Sequence, residues 1–140
     1  MKPVFLDTNV LVYAFDADAG LKFEKAQVIV KDCWDSQSGT LSTQVLQEFY
    51  VTVTKKLSKK VDKQSARNIV QAYKAWSVYS INPDDIIDAS ELEEQYSLSF
   101  WDSLIIIAAQ KNGAEILYSE DMHDGQKFGN LTVVNPFKQA

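Results

Sequence analysis

The sequence predicts an α/β protein, a three-layer α/β/α sandwich with a central, mainly parallel sheet. Two observations support this fold class. Short apolar runs alternate along the chain with longer stretches of helical periodicity, and parallel strands of this kind need helices on both faces of the sheet. The chain has 140 residues and contains no repeat, linker or low-complexity segment. We therefore expect a single domain over residues 1–140.

Five strands are predicted, and each is a short apolar run bounded by turn-forming or capping residues. Asn135 and Pro136 mark the end of the last one. The predicted strands are PVFLD (3–7), GTLS (39–42), SVYSI (77–81), the start of EILYSED (115–121) and LTVVNPF (131–137).

Six helices are predicted from the spacing of apolar residues and from start and stop signals. Thr8 or Asn9 can cap the first helix, Ser42 or Thr43 the third, and Pro83 suits a first helical turn. The predicted helices are NVLVYAF (9–15) and the segments 21–37, 43–57, 62–76, 83–96 and 99–113, the last ended by Gly113.

The composition excludes several classes of protein. The longest apolar run, Ser103 to Ala109, is too short to span a membrane, and no signal peptide is evident, so we expect a cytoplasmic protein. Cys33 is the single cysteine, which excludes an internal disulfide and a cysteine-based zinc site. The net charge of −5 argues against binding nucleic acid through bulk charge.

Basic residues are nevertheless concentrated in one segment. Six of the 14 Lys and Arg residues lie between Lys55 and Arg67, and a local basic surface of this kind can guide RNA phosphates. The residues proposed for that role are Lys55, Lys56, Lys59 and Lys60.

Four acidic residues are the candidates for chemistry. Asp7 closes the first strand, Glu48 lies on the helix after GTLS, Asp102 opens the helix after Ser99, and Asp121 follows EILYS. Ligands of open parallel sheets bind beyond the carboxyl ends of the strands, so all four can approach the same end. Of the four acids, Asp7 is the one for which a purely structural role is the poorest explanation, because burying a carboxylate among apolar residues is costly without a partner.

A cluster of carboxylates requires protonation or a cation. No Lys or Arg occurs in the segments 3–21, 75–110 and 113–126, which contain three of the four acids. All-oxygen ligands suit Mg²⁺ or Mn²⁺ rather than zinc. A metal held in this way activates water and neutralises charge on a phosphodiester, so the residues predict metal-dependent hydrolysis without a protein nucleophile.

Four blocks of the chain resemble those of PIN-domain ribonucleases, and most closely the VapC-type toxins of bacterial toxin–antitoxin pairs. The blocks are FLDTNVLVYAFD, STQVLQEF, SFWDSLIIIAA and ILYSEDMHDGQKFGNLTVVNPF, while the segment from Lys55 to Trp76 matches least. The resemblance implies a Mg²⁺-dependent endoribonuclease that acts as the toxin of a type II pair. It further implies that one or two Mg²⁺ ions are held by Asp7, Glu48, Asp102 and Asp121.

The resemblance also implies supporting residues and partners. Thr8, Asn9 and Ser119 fall at the positions that orient the first and last acids, and Asp124 is a candidate outer acid. Because Glu120, Asp121 and Asp124 crowd one loop, the choice of Asp121 rests on the resemblance. The family implies a homodimer, an RNA substrate and a small antitoxin that blocks the pocket.

Two other functions remain open at this stage. An aspartyl-phosphate phosphatase would use Asp7 as its nucleophile, but Asn9 stands where its second aspartate is usual. A PIN-fold module that binds RNA or protein without chemistry would have no reason to keep four acids. We expect His123 to be solvated, and Trp34, Trp76 and Trp101 to be core or interface residues rather than platforms for base stacking.

Overall fold

The computed structural model describes residues 2–138 and contains one sheet of six strands in the order β3-β2-β1-β4-β6-β5. All neighbouring strands are parallel except β5 and β6, which are antiparallel. This confirms the predicted α/β/α sandwich with a mainly parallel sheet. The strands are β1 (Val4–Leu6), β2 (Gly39–Ser42), β3 (Ser77–Tyr79), β4 (Ile116–Tyr118), β5 (Lys127–Phe128) and β6 (Leu131–Val134).

Within residues 2–138, six α-helices and a short 3₁₀ turn at Ala17–Ala19 lie between β1 and β4. Helix α1 contacts α2 and α3, and α3 contacts α4, while α5 packs on α6. The helices are α1 (Thr8–Tyr13), α2 (Leu21–Ser36), α3 (Thr43–Lys55), α4 (Lys63–Tyr73), α5 (Pro83–Tyr96) and α6 (Phe100–Lys111).

Helix starts follow the capping residues of the sequence. Ser42, Asp62 and Ser99 each accept a hydrogen bond from a backbone N–H of the helix that follows, and Asn82 forms a capping box with Asp85. The first helix differs from the prediction, because Asp7 itself is the N-cap and the helix begins at Thr8. The same residue therefore ends β1 and starts α1.

The core lies on both faces of the central strands β1, β2 and β4. Phe5, Leu6, Leu41 and Leu117 have no exposed surface. All residues from Leu104 to Ala109 of α6 are buried, which explains why this helix is apolar on every side. No helix among the described residues is long and apolar enough to cross a membrane.

The amino-terminal end of β2 is closely packed against an aromatic cluster. A Cβ atom on Gly39 would lie 2.5 Å from Cε3 of Trp76. The Trp76 ring is in turn packed against Tyr73 and Trp34, with centroid separations of 4.9 and 5.4 Å. Only glycine fits at position 39 without moving this cluster.

Candidate active-site cleft

A cleft of about 650 Å³ opens where β1 and β4 end and where α3 and α6 begin. All four predicted acids line it, although they come from four separate segments of the chain. Other residues in its lining are Thr8, Asn9, Gln44, Lys56 and Trp101. The structure thus brings together the acids that the sequence places at strand ends and helix starts.

Asp7 lies at the base of the cleft and is almost fully buried, with 6% of its surface exposed. Its Oδ1 accepts a hydrogen bond from the backbone N–H of Thr8 at 2.7 Å, and its Oδ2 accepts one from the Ser119 hydroxyl at 2.8 Å. Ser119 follows β4, the strand next to β1. The carboxylate is therefore held between two neighbouring strand ends.

Burial raises the pKa of Asp7 from 3.8 to about 7. The hydrogen bonds from Ser119 and Thr8 act in the opposite direction and lower this pKa, while the negative charges of Asp102 and Asp121 raise it further. The raised pKa favours the protonated form of Asp7 in the absence of a cation. A nearby cation would favour the charged form of Asp7.

Glu48 is turned into the cleft by two donors. The Thr8 hydroxyl donates to its Oε1 at 2.5 Å, and the Gln44 amide donates to its Oε2 at 3.2 Å. Helical periodicity alone placed Glu48 at the edge of the apolar face, where either orientation is possible. The contact from Thr8 on α1 determines that it points into the cleft.

Asp102 lies in the first turn of α6, where Ser99 caps the helix by accepting a hydrogen bond from the Asp102 backbone N–H at 3.0 Å. Partial burial raises the pKa of its carboxyl group, and the charges of Asp121 and Glu48 raise it further. The capping pattern and the position in the cleft are therefore compatible. The same residue can serve both the helix and the site.

The loop after β4 contains three acids, and the structure distinguishes them. Glu120 forms an ion pair with Lys22 and accepts a hydrogen bond from the Tyr13 hydroxyl at 2.6 Å. Asp124 accepts a hydrogen bond from the Asn135 backbone N–H at 2.8 Å, and its carboxylate lies 3.6 Å from the Lys138 ammonium group.

Asp121 alone of these three acids lines the cleft, and the Asn9 amide orients it by donating to Oδ2 at 2.9 Å. The residues predicted to orient the first and last acids, Ser119 and Asn9, therefore contact Asp7 and Asp121 respectively. Thr8 contacts Asp7 through its backbone and Glu48 through its side chain. The predicted outer acid, Asp124, is not among the lining residues.

The donor set of the cleft fits a hard divalent cation. All the candidate ligands are oxygen atoms, and Lys56 is the single basic residue among the described lining residues. Asn9 Oδ1 and Gln44 Oε1 are buried and have no hydrogen-bond partner in the described chain. As the side chains stand, however, no three acidic, histidine or cysteine groups within residues 2–138 are placed to hold one ion. Shared coordination requires the acids to move closer together.

Sequence reasoning missed Gln44, which is buried and joins two walls of the cleft. Its amide donates both to Glu48 and to the Trp101 carbonyl, each at 3.2 Å. The available signal was its spacing, since residues 44 and 48 are one helical turn apart and share a face. Only the packing of α6 against α3 shows the second contact.

The remaining residues that the sequence singled out, three lysines and His123, do not line the cleft. Lys55, Lys59 and Lys60 are exposed outside the lining of the cleft, and Lys59 lies 3.9 Å from Asp18. His123 is exposed and does not line the cleft.

The three tryptophans also differ. Trp76 is buried, as a core residue should be, and Trp34 is partly exposed beside it. Trp101 is not a core residue, because 62% of its surface is exposed, and only the interface position of the prediction is left for it.

Comparison with known proteins supports the fold and the family. Residues 4–123 match the family model described as the PIN domain. A toxin–antitoxin complex from Klebsiella pneumoniae has 21% identity and a TM-score of 0.68, with coverage of 97% of this chain and 99% of that chain. No individual curated protein matches at a significant level.

Two further solved structures share the fold. The Mycobacterium tuberculosis toxin VapC20, which cleaves the sarcin-ricin loop, has 20% identity and a TM-score of 0.63, with coverage of 84% of this chain and 89% of that one. A DNA-bound VapBC from Salmonella typhimurium has 12% identity and a TM-score of 0.65, with coverage of 95% and 97%.

Proposed function

The chain belongs to the PIN-domain family, and on that premise we propose that it is a Mg²⁺- or Mn²⁺-dependent endoribonuclease and the toxin of a type II toxin–antitoxin pair. The observation that carries this proposal is the meeting of Asp7, Glu48, Asp102 and Asp121 in one cleft with one basic residue in its lining. Four acids without matching cations suit a metal-assisted hydrolase.

In the proposed mechanism, Asp7, Asp102 and Asp121 would hold the cation, and Glu48 would complete the acidic pocket. The bound cation would lower the pKa of water and neutralise charge that develops on the phosphodiester. Ser119 and the Thr8 backbone hold Asp7 in place, Asn9 holds Asp121, and Thr8 with Gln44 holds Glu48. Hydrolysis in line would leave a 3′-hydroxyl and a 5′-phosphate.

Lys56 is suited to bind a phosphate that flanks the scissile one. It follows the last turn of α3 and lines the same cleft as Glu48. Eight residues separate the two, which is about 12 Å along a helix at the usual rise. An RNA strand whose scissile phosphate lies at the acids can therefore place another phosphate near Lys56. Lys55, Lys59 and Lys60 would add only a general attraction from outside the cleft.

The partners follow from the same proposal. The similar structures from Klebsiella pneumoniae and Salmonella typhimurium are a toxin–antitoxin complex and a DNA-bound VapBC. We propose that this chain likewise binds a small antitoxin that blocks the cleft, and that it forms a homodimer. Co-expression with the product of the adjacent reading frame, followed by light scattering, tests both statements.

The decisive experiment uses purified full-length protein and single-stranded RNA. We expect cleavage with Mg²⁺ or Mn²⁺, loss of cleavage with EDTA, and loss of cleavage in Asp7→Asn. Asp32→Asn is the matched control, because it removes a carboxylate from an exposed position on α2. Cleavage that survives both EDTA and Asp7→Asn would exclude the metal mechanism.

A second function is favoured by one observation, that the acids as they stand are not placed to share one ion. It is a PIN-fold module that binds RNA or protein without chemistry. Titration calorimetry with Mg²⁺ and Mn²⁺ distinguishes the two functions. Binding in wild type that is weakened in Asp7→Asn supports the nuclease, and no binding of either ion supports the inactive module.

A further inference from the structure

We propose that Trp101 stacks on an unpaired base of the RNA, next to the phosphate that is cleaved. This inference rests on the proposed ribonuclease function and adds a residue that binds substrate. Trp101 is 62% exposed, more than any other large apolar side chain of the described residues. Exposure of an indole to water is unfavourable, so a binding role accounts for a feature that packing leaves unexplained.

The position of Trp101 connects it to the proposed chemistry. It lies in the first turn of α6, directly before Asp102, and it lines the same cleft as Asp7 and Asp121. A phosphate bound at these acids would therefore lie in the cleft that Trp101 helps to line. The next most exposed apolar residues, Val28, Ile87 and Leu21, do not line this cleft, and Val51, which does, is only 40% exposed.

Trp101 is held through its backbone by one contact and through its indole ring by another. Gln44 donates to its carbonyl at 3.2 Å and holds Glu48 with the same amide group. The neighbouring Phe100 ring packs edge to face with the indole, with centroids 5.2 Å apart and planes at 80°. An aromatic ring that is already positioned loses little conformational freedom when a base stacks on it.

The electrostatics of the protein favour stacking as a source of RNA affinity. The chain carries a net charge of −5 and the cleft is lined by acids, so Coulomb attraction outside the metal site is weak. Stacking of a base on an aromatic side chain does not depend on net charge and contributes strongly to single-strand binding. Trp101 and Lys56 would then contact base and phosphate of one unpaired strand.

The test combines two variants with modified substrates. Trp101→Ala is expected to raise KM for a short single-stranded RNA by about fivefold to 100-fold with little change in kcat, and Trp101→Phe should restore most of the loss. Ile87→Ala is the matched control, because it removes an exposed apolar side chain from α5, outside the cleft. Its KM should equal that of wild type.

A series of RNA substrates, each with one abasic nucleotide, locates the stacked base. At one position beside the cleaved bond, the abasic substrate should weaken binding to wild type and to Trp101→Phe but not to Trp101→Ala. Cleavage by wild type with an unchanged KM in Trp101→Ala overturns the inference and leaves the nuclease intact. A change of oligomeric state in Trp101→Ala by light scattering, with unchanged RNA affinity, overturns it in favour of a protein contact.

The absence of cleavage by wild type would overturn the proposed function itself. Binding of the same RNA substrates, measured by fluorescence anisotropy, then decides the role of Trp101 separately. Binding that is equal in wild type, Trp101→Ala and Ile87→Ala overturns the inference, and a selective loss in Trp101→Ala supports it.

Discussion

Asp7 and Asp85 are both buried aspartates next to helix starts, but their surroundings differ. Asp85 has no exposed surface, and it accepts hydrogen bonds from Lys111 Nζ at 2.7 Å, Tyr79 Oη at 2.9 Å and the Asn82 backbone N–H at 2.9 Å. Asp7 accepts hydrogen bonds from Ser119 and Thr8 but has no ion pair among the described residues.

The pKa values of the two groups shift in opposite directions. Burial alone would raise the pKa of Asp85, but Lys111 and the hydrogen bonds outweigh burial, and the pKa is lowered. Burial dominates at Asp7 and raises its pKa to about 7. A buried carboxylate with its own cation is compensated within the fold, and removal of one partner is destabilising. A buried carboxylate without one is a candidate for binding a cation from solution.

The largest effect is expected on RNA cleavage in Asp7→Asn. Asparagine keeps the capping oxygen and the volume of Asp7 but not its charge, so the protein should fold while cleavage falls on the order of 1,000-fold. Initial rates with saturating Mg²⁺ measure this. An Asp7→Asn protein that cleaves at a rate within threefold of wild type would remove Asp7 from the proposed mechanism.

The converse is expected for Asp85→Asn, which should lower the stability of the protein and leave the rate of RNA cleavage unchanged. Loss of the charged partner of Lys111 should lower the free energy of unfolding by roughly 2–3 kcal/mol. Lys111 is partly exposed and keeps its ion pair with Asp88 at 2.8 Å, so the cost stays below that of leaving a fully buried charge unpaired. Urea unfolding monitored by circular dichroism measures the change. Unchanged stability would show that the Asp85–Lys111 ion pair does not stabilise the fold. Asp85 and Asp7 would then not differ in the way described above.

A third prediction concerns the pH dependence of stability in the presence of EDTA. Because the pKa of Asp7 is raised in the folded protein, the protonated side chain contributes to the free energy of unfolding. This contribution is fully present below pH 3.8, the ordinary pKa of aspartate, and is lost as the pH rises through about 7. Between about pH 5 and pH 8, the free energy of unfolding of wild type should therefore fall by roughly 2–3 kcal/mol relative to that of Asp7→Asn. The contribution of Asp85, whose pKa is lowered, is lost only in acid.

Urea titrations of wild type and Asp7→Asn at several pH values measure this difference. Addition of Mg²⁺ at pH 8 should reverse the order of stability, because the ion binds the charged carboxylate of wild type. A difference between the two proteins that is constant across this pH range would contradict the raised pKa.

The smallest effect is expected for Ser119→Ala, which removes the 2.8 Å donor to Asp7. Since this hydrogen bond lowers the pKa of Asp7, its loss should move the pH profile of cleavage towards alkaline pH by about one unit, equivalent to about 1.4 kcal/mol. Ser103→Ala is the control, because it removes a buried hydroxyl that donates to the Ser99 carbonyl. Its pH profile should match that of wild type.

The sequence predicted most of the fold because the parallel strands and capped helices leave local signals. The exception among the strands is β5, which has two residues and exists through its pairing with β6. Such a strand has no periodicity of its own to recognise. The ends of α3 and α4 were predicted two and three residues too late, since apolar residues continue beyond the last helical turn.

The four acids could be found from the sequence, but not the contacts that select and orient them. The orientation of Glu48 depends on Thr8, which lies 40 residues away. Asp121 is distinguished from Glu120 and Asp124 because these two are matched by Lys22 and Lys138. Contacts between distant segments are formed only by the folded chain, so a pattern in one segment does not reveal them.

The close packing of Gly39 against Trp76 affects how genetic screens of this protein should be interpreted. Any larger side chain at position 39 collides with the indole ring, at the amino-terminal end of β2 and outside the lining of the cleft. Under the proposed toxin function, a selection of cells that survive expression of the protein should therefore recover substitutions at Gly39 together with substitutions of the acids. Immunoblots of soluble protein separate the two groups, because the Gly39 variants lose abundance and the acid variants do not.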